Sequence, residues 1–179
     1  MFLCLRTIDI HARFGLPRIA FISVVTTIVT FLIGFEIFRY FTHANFSDQF
    51  FWALIIFTIL LYPLHKLLHL IILIPYYKYF KVYRLVKKKW LPYYNIFVDM
   101  PVNKYYFCLA LILPLVILTI LNIWLSLMFP TYGHYFVFLL ALNAGYSALD
   151  ILYLKVILAY NKGKYVEEHI TGFNLLKKV

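Results

Sequence analysis

In the run LYPLHKLLHLI, residues 61–71, two histidines and a lysine interrupt an otherwise apolar stretch. His65 and His69 are four positions apart, so on a helix they project from one face, one turn above the other. Imidazoles placed this way can take neighbouring positions on one metal ion, and zinc suits such nitrogen donors. A third ligand is needed, and Asp150, in NAGYSALDIL, is the only acidic residue deep inside another apolar run. A lone buried histidine is more often a hydrogen-bonded packing residue. A pair at i and i+4, at the depth of a carboxylate, reverses that preference, because each charge at a membrane helix centre costs at least about 2.5–3.5 kcal/mol.

The elements that must carry these residues are set by hydropathy. The chain has 179 residues, 64% of them hydrophobic and 13% charged, with a mean hydropathy of +0.85. About 20 apolar residues at ~1.5 Å rise cross a hydrocarbon core of ~30 Å. Four runs qualify: 18–41, 50–75, 107–129 and 134–158. In lipid they must be helices, since open strands would leave backbone groups unpaired. The first is too long for a signal peptide and lacks a small-residue cleavage pattern, so it reads as a retained span. The expectation is an all-α integral membrane protein: one membrane domain, 1–179, of four transmembrane helices. A short cytoplasmic β-like insert joins the second and third spans in the connection 76–106, and a cytoplasmic tail covers 159–179.

Basic residues set the orientation. Arg6, Arg13 and Arg18 precede the first span; Lys78, Lys81, Arg84, Lys87, Lys88, Lys89 and Lys104 lie between the second and third. Lys155, Lys162, Lys164, Lys177 and Lys178 follow or close the fourth. These are all but Arg39 and Lys66 of the 17 Lys and Arg. The positive-inside rule then places both termini and the connection in the cytoplasm, with 42–49 and 130–133 outside. The net charge of +10 follows from topology and from anionic headgroups as partners. With no basic reading module, it does not call for nucleic acid. Cys4 and Cys108 fall at the reducing side without a CxxC pattern and read as small hydrophobes.

The stretch 76–105 mixes aromatic and β-branched residues with lysines and is broken at Pro92 and Pro101, which suits a hairpin. Tyr79, Tyr83 and Trp90 fit the headgroup level. This stretch is expected to anchor the spans at the interface, or to hold an extended peptide by edge pairing. The tail EEHITGFNLLKK, with a turn signal at Thr171–Gly172, reads as a hairpin or an amphipathic segment on the bilayer.

Counting ~1.5 Å per residue from the outer boundary puts His65 at about 22 Å, His69 at about 28 Å and Asp150 at about 24 Å. Pro63 and Pro114 reach a similar level. Each removes a helical hydrogen bond, and for Pro63 the freed carbonyl is that of Ile59. Glu36 lies near the outer end of the first span, with Arg39 three residues on as its expected partner. On this count no spare carboxylate lies at the level of the triad. Lys66 stands where the HExxH pattern of zinc hydrolases has the glutamate that takes a proton from water. A protonated lysine has no lone pair for that task, but at this depth it can neutralise Asp150.

These features resemble a family of small bacterial membrane proteins classed as zincin peptidases of unknown function, related at the motif level to site-2-type intramembrane metalloproteases. The resemblance rests on four spans with cytoplasmic termini, LHKLLHL in the second, DMPVNKYYF closing the insert, LALILPL in the third, ALDIL in the fourth and EEHITGF in the tail. It implies His65 and His69 as the first two metal ligands, Asp150 as the third and zinc as the cofactor. Lys66 then replaces the general base, and Leu149 replaces a small residue before the aspartate. The resulting expectation is a multi-pass protein of the bacterial cytoplasmic membrane on a metalloprotease-like scaffold. It is a pseudoprotease with no catalytic residue, holding a client helix or peptide between the second and fourth helices. The alternative is an active zinc peptidase whose base comes from elsewhere. A transporter or channel would need polar residues at several depths, and here they crowd into one layer.

Overall fold

A computed structural model describes residues 2–43, 45–84, 94–160, 163–169 and 172–178. Strand β1 (Phe2–Asp9) leads through a short α1 (Ile10–Phe14) into α2 (Leu16–Thr42). Gly15, at φ 77°, supplies the left-handed joint, and Pro17 sits in the first turn of α2, where its missing N–H costs nothing. Helix α3 (Phe51–Leu73) tightens into a 3₁₀ turn (Ile74–Tyr79) at Pro75 and runs into strands β2 (Phe80–Arg84), β3 (Tyr94–Val98) and β4 (Val102–Asn103). The Asn103 side chain accepts a hydrogen bond from the Tyr105 N–H at 3.0 Å and starts α4 (Lys104–Met128). A 3₁₀ turn (Pro130–Tyr132), α5 (Gly133–Ala159), β5 (Tyr165–His169) and β6 (Gly172–Lys178) complete the chain.

Helices α2, α3 with its 3₁₀ extension, α4, and α5 with the turn before it are long and apolar enough to cross a membrane. They match the four hydropathy runs. Helix α5 packs against α2 and α4, while α3 leans on α4 and, less closely, on α5. Gly145 lets α2 and α5 approach, because a Cβ there would collide with the Thr27 hydroxyl. The outer faces of α2 and α3 expose Phe21, Ile28, Leu32, Trp52, Ile56 and Ile59. Such apolar faces would drive aggregation in water and are natural against lipid.

At one end of the helices lies an antiparallel sheet in the order β1-β6-β5-β4. Phe2 pairs with Lys178, Glu168 with Phe173, and Val102 with Val166. Both chain termini and the connection between α3 and α4 therefore meet at the same end of the helix bundle. Lys104 fastens this end, its Nζ donating to the Tyr160 carbonyl at 2.6 Å, where a cation also suits the end of a helix. Ile8, Val98, Val102, Val166, Phe173 and Leu175 on the strands pack with Leu73, Phe107 and Ile157 from the helices into one core.

The all-α expectation is corrected here. The principal sheet is built at the chain termini and not in the insert between the second and third spans, because the apolar face of the β5–β6 hairpin finds β1 to pair with and the helix ends to cover. The insert adds β4 to its edge, and β2 and β3 pair separately from Phe80↔Val98 to Arg84↔Tyr94. Trp90, Pro92 and Lys87 to Lys89, like Thr171 in the tail turn, lie outside the described residues. In the tail, His169 pairs with Gly172, which makes it a hairpin. Glu36 and Arg39 are both exposed, and no ion pair joins them.

Candidate metal centre

Helix periodicity stacks His65 and His69 on the face of α3 that meets α4 and α5. Their ring centroids are 4.9 Å apart. Asp150 comes from α5, and the three side chains bring their ligand atoms within 4.8 Å of one another. His65 Nε2 lies 3.0 Å from Asp150 Oδ2, His69 Nε2 lies 3.4 Å from the same oxygen, and the two Nε2 atoms are 3.2 Å apart. His65 is 2% exposed.

Which nitrogen faces inward is decided by the groups behind the rings. His65 Nδ1 is 3.0 Å from Asn143 Oδ1. The Asn143 amide orientation follows from its own bonds: Nδ2 donates to the carbonyls of Pro114 at 3.4 Å and Leu115 at 3.3 Å, which leaves Oδ1 for the histidine. His69 Nδ1 is 2.8 Å from the carbonyl of Ala110. That carbonyl is available because Pro114, four residues on, has no N–H to donate back to it. Both histidines thus donate from Nδ1 to an oxygen and turn Nε2 toward Asp150. This outer arrangement is what fixes tautomer and ring orientation in metal sites.

Two lone pairs and a carboxylate oxygen facing each other at these distances repel unless a positive charge lies among them. In a tetrahedral zinc site with bonds of ~2.0–2.1 Å, neighbouring ligand atoms are ~3.3 Å apart. The triangle's edges of 3.0, 3.2 and 3.4 Å have that size. The donor set, two neutral imidazoles and one carboxylate, fits zinc and leaves a fourth position open.

Other residues singled out in the sequence lie differently. Lys66 is exposed and makes no ion pair with Asp150, whose carboxylate faces the two histidines instead. The expected Lys66–Asp150 charge pair is therefore corrected: position 66 projects from another part of the helix surface than His65 and His69. Pro63 is exposed on α3 and is not part of the triad, whereas Pro114 is buried and shapes it through Ala110.

Counting along the spans missed two side chains. Asn143 lies two helical turns before Asp150, and that spacing of seven was the available signal. Glu168 lies on β5, outside the spans to which the depth count applies. The backbone of Val98 hydrogen-bonds it, and the charges of Lys66 and Asp150 both act on it. Burial, with Asp150 adding to it and Lys66 and the Val98 bond opposing, pushes its carboxyl up to about 7.

Helices long and apolar enough to span a membrane thus hold, among three of them, a His–His–Asp triangle that could take a metal ion. The sequence profile of the family described as "Putative zincin peptidase" matches residues 58–165, from the paired-histidine helix through Asp150 to the start of β5. The match covers more than half of the chain, and the chain belongs to this family. No curated protein and no solved structure matches it.

Proposed function

We propose that this protein is a zinc-dependent peptidase of the cytoplasmic membrane, with both termini and the sheet on the cytoplasmic side, acting on a peptide or helix of a membrane client. The observation that carries the reading is the triangle of His65 Nε2, His69 Nε2 and Asp150 Oδ2, with edges of 3.0 to 3.4 Å and each histidine held from behind at Nδ1. Family membership supports it, and the basic residues around the sheet support the orientation.

His65, His69 and Asp150 would hold the zinc. When bound, zinc supplies a Lewis acid for a peptide carbonyl and makes water a nucleophile near neutral pH. Asn143 and the Ala110 carbonyl accept from Nδ1 and so aim each imidazole's Nε2 inward, and Asp150 would offset part of the cation's charge. The side chains of His65, His69 and Asp150 are only 3%, 13% and 13% exposed, and burial of this degree strengthens electrostatic contacts in the site.

A second reading, a pseudoprotease that holds its client without cutting it, is favoured by one observation: Lys66 stands where paired-histidine hydrolases carry their glutamate. Metal analysis of the purified chain tests the common ground. One zinc per chain, lost in His65→Ala, supports a metal site, and a metal-free wild type refutes it. Cleavage of reconstituted membrane-spanning peptides by the zinc-loaded protein, abolished in His65→Ala, supports the peptidase. Retained zinc with peptide binding and no cleavage favours the pseudoprotease.

A further inference from the structure

We infer that Glu168, carried over the sheet-side end of the site by β5, is the proton acceptor this chain uses in place of the glutamate absent from position 66. The inference rests on the peptidase reading and names its missing base.

Strand register decides where Glu168 points. Side chains two apart on a strand share a face, and Val166 is fully buried in the core between sheet and helices. Glu168 therefore faces the helix ends. Glu167 faces the other way, where Asn174 Nδ2 donates to it at 3.3 Å. Across the sheet Glu168 pairs with Phe173, itself fully buried, and the Phe173 ring lies 5.6 Å from that of Tyr153. Tyr153 is one helical turn beyond Asp150, so the inward face of β5–β6 covers α5 next to the ligand carboxylate.

The charges around Glu168 define its surroundings from each element. From α3 comes Lys66, the residue after the first ligand; from α5 come Asp150 and Tyr153; from β3 comes the Val98 backbone bond. Asp9 of β1 acts on the same Tyr153. No ion pair holds Glu168 among the described residues. A carboxyl turned inward, bonded by one backbone group and poised near neutrality, has what a general base needs. The base is thus supplied from a strand and not from the metal-binding helix, and Lys66 tempers its proton affinity.

The step balances within the peptide bond. Glu168 accepts one proton, directly or through one water, from the attacking water as its oxygen bonds to the scissile carbonyl carbon. It returns that proton to the amide nitrogen as the C–N bond breaks. One water is consumed and the carboxylate is restored.

The test does not need the natural substrate. Full-length protein in detergent is loaded with cobalt, and acetohydroxamic acid is titrated across pH, read by the cobalt absorption spectrum. A hydroxamate gives up one proton when it chelates. With Glu168 to receive it, affinity is level from about pH 7 up to the probe's own pKa. In Glu168→Gln that proton must go to solvent, and affinity rises about tenfold per pH unit over the same range. Moving the carboxylate, in the double variant Lys66→Glu with Glu168→Gln, restores the level region. Identical profiles in wild type and Glu168→Gln overturn the inference while leaving the metal site standing. So does a Glu168→Gln variant that fails to take up cobalt, since Glu168 would then hold the site together. A wild type that takes up no cobalt removes the peptidase reading, and this inference with it.

Discussion

Pro114 does two things at once, and Pro114→Ala separates them. Proline inside a helix costs about 3 kcal/mol relative to alanine, through the lost hydrogen bond and the clash with the preceding turn. Alanine restores an N–H at 114, which turns to the Ala110 carbonyl and straightens α4 there. That carbonyl now accepts from His69 Nδ1 at 2.8 Å. Losing an outer hydrogen bond of this kind lowers metal affinity by about 10- to 100-fold, or about 1.4–2.8 kcal/mol. The two effects have opposite signs. Metal-free Pro114→Ala should unfold at or above the wild-type temperature in detergent, while chelator competition should show zinc held about 10- to 100-fold less tightly. Unchanged zinc affinity would refute the reasoning, because the freed carbonyl would then have no part in aiming His69. Asn143→Ala serves as the contrast. It also weakens zinc, but it lowers metal-free stability, since it leaves His65 Nδ1 without a buried partner.

Asp150→Asn should abolish zinc binding, and Lys66→Met should neither lower zinc content alone nor rescue the Asp150 variant; rescue of stability by the second change would revive a Lys66–Asp150 charge pair. Glu168 also links stability to pH. Its folded value, about 7, lies above the ordinary 4.5, so the folded state binds its proton more tightly. The resulting stability is complete below pH 4.5 and is lost as pH rises to about 7, amounting to about 3 kcal/mol at most. Thermal melts of Glu168→Gln should lack that decline, and an unaltered slope would show that another group titrates. Reporter fusions after Lys178 should read cytoplasmic and one at Asn45 external, and the reverse pattern would invert the orientation.

The spans and the three triad residues were legible because they obey one-dimensional rules. Hydropathy fixes where a helix lies in the bilayer, and 3.6 residues per turn fix which side chains share a face. His65 and His69 were found by their spacing, but Asp150 and Lys66 were joined to them by depth alone; depth says nothing about rotation, and rotation is why Lys66 turned out exposed and apart from Asp150. The sheet was half legible. EEHITGFNLLKK carries a turn signal, but its partner strand is at the other end of the chain, and the Phe2↔Lys178 register cannot be read from either segment alone.

Glu168 lies beyond the reach of such one-dimensional rules. Along the helix, a lysine after the first histidine reads as a lost base. Across the fold, β5 brings a carboxyl within the electrostatic reach of that same lysine and of Asp150. Loss of a base and its relocation therefore have the same sequence signature in HKLLH, and no substitution that merely removes Lys66 can distinguish them. If the base was lost, a glutamate at 66 creates a proton acceptor whatever stands at 168. If it was relocated, a glutamate at 66 adds nothing while Glu168 is present and matters only once Glu168 is gone. The two positions must be varied together, and their non-additivity is the measurement that decides between a binding scaffold and an enzyme with its base on another element.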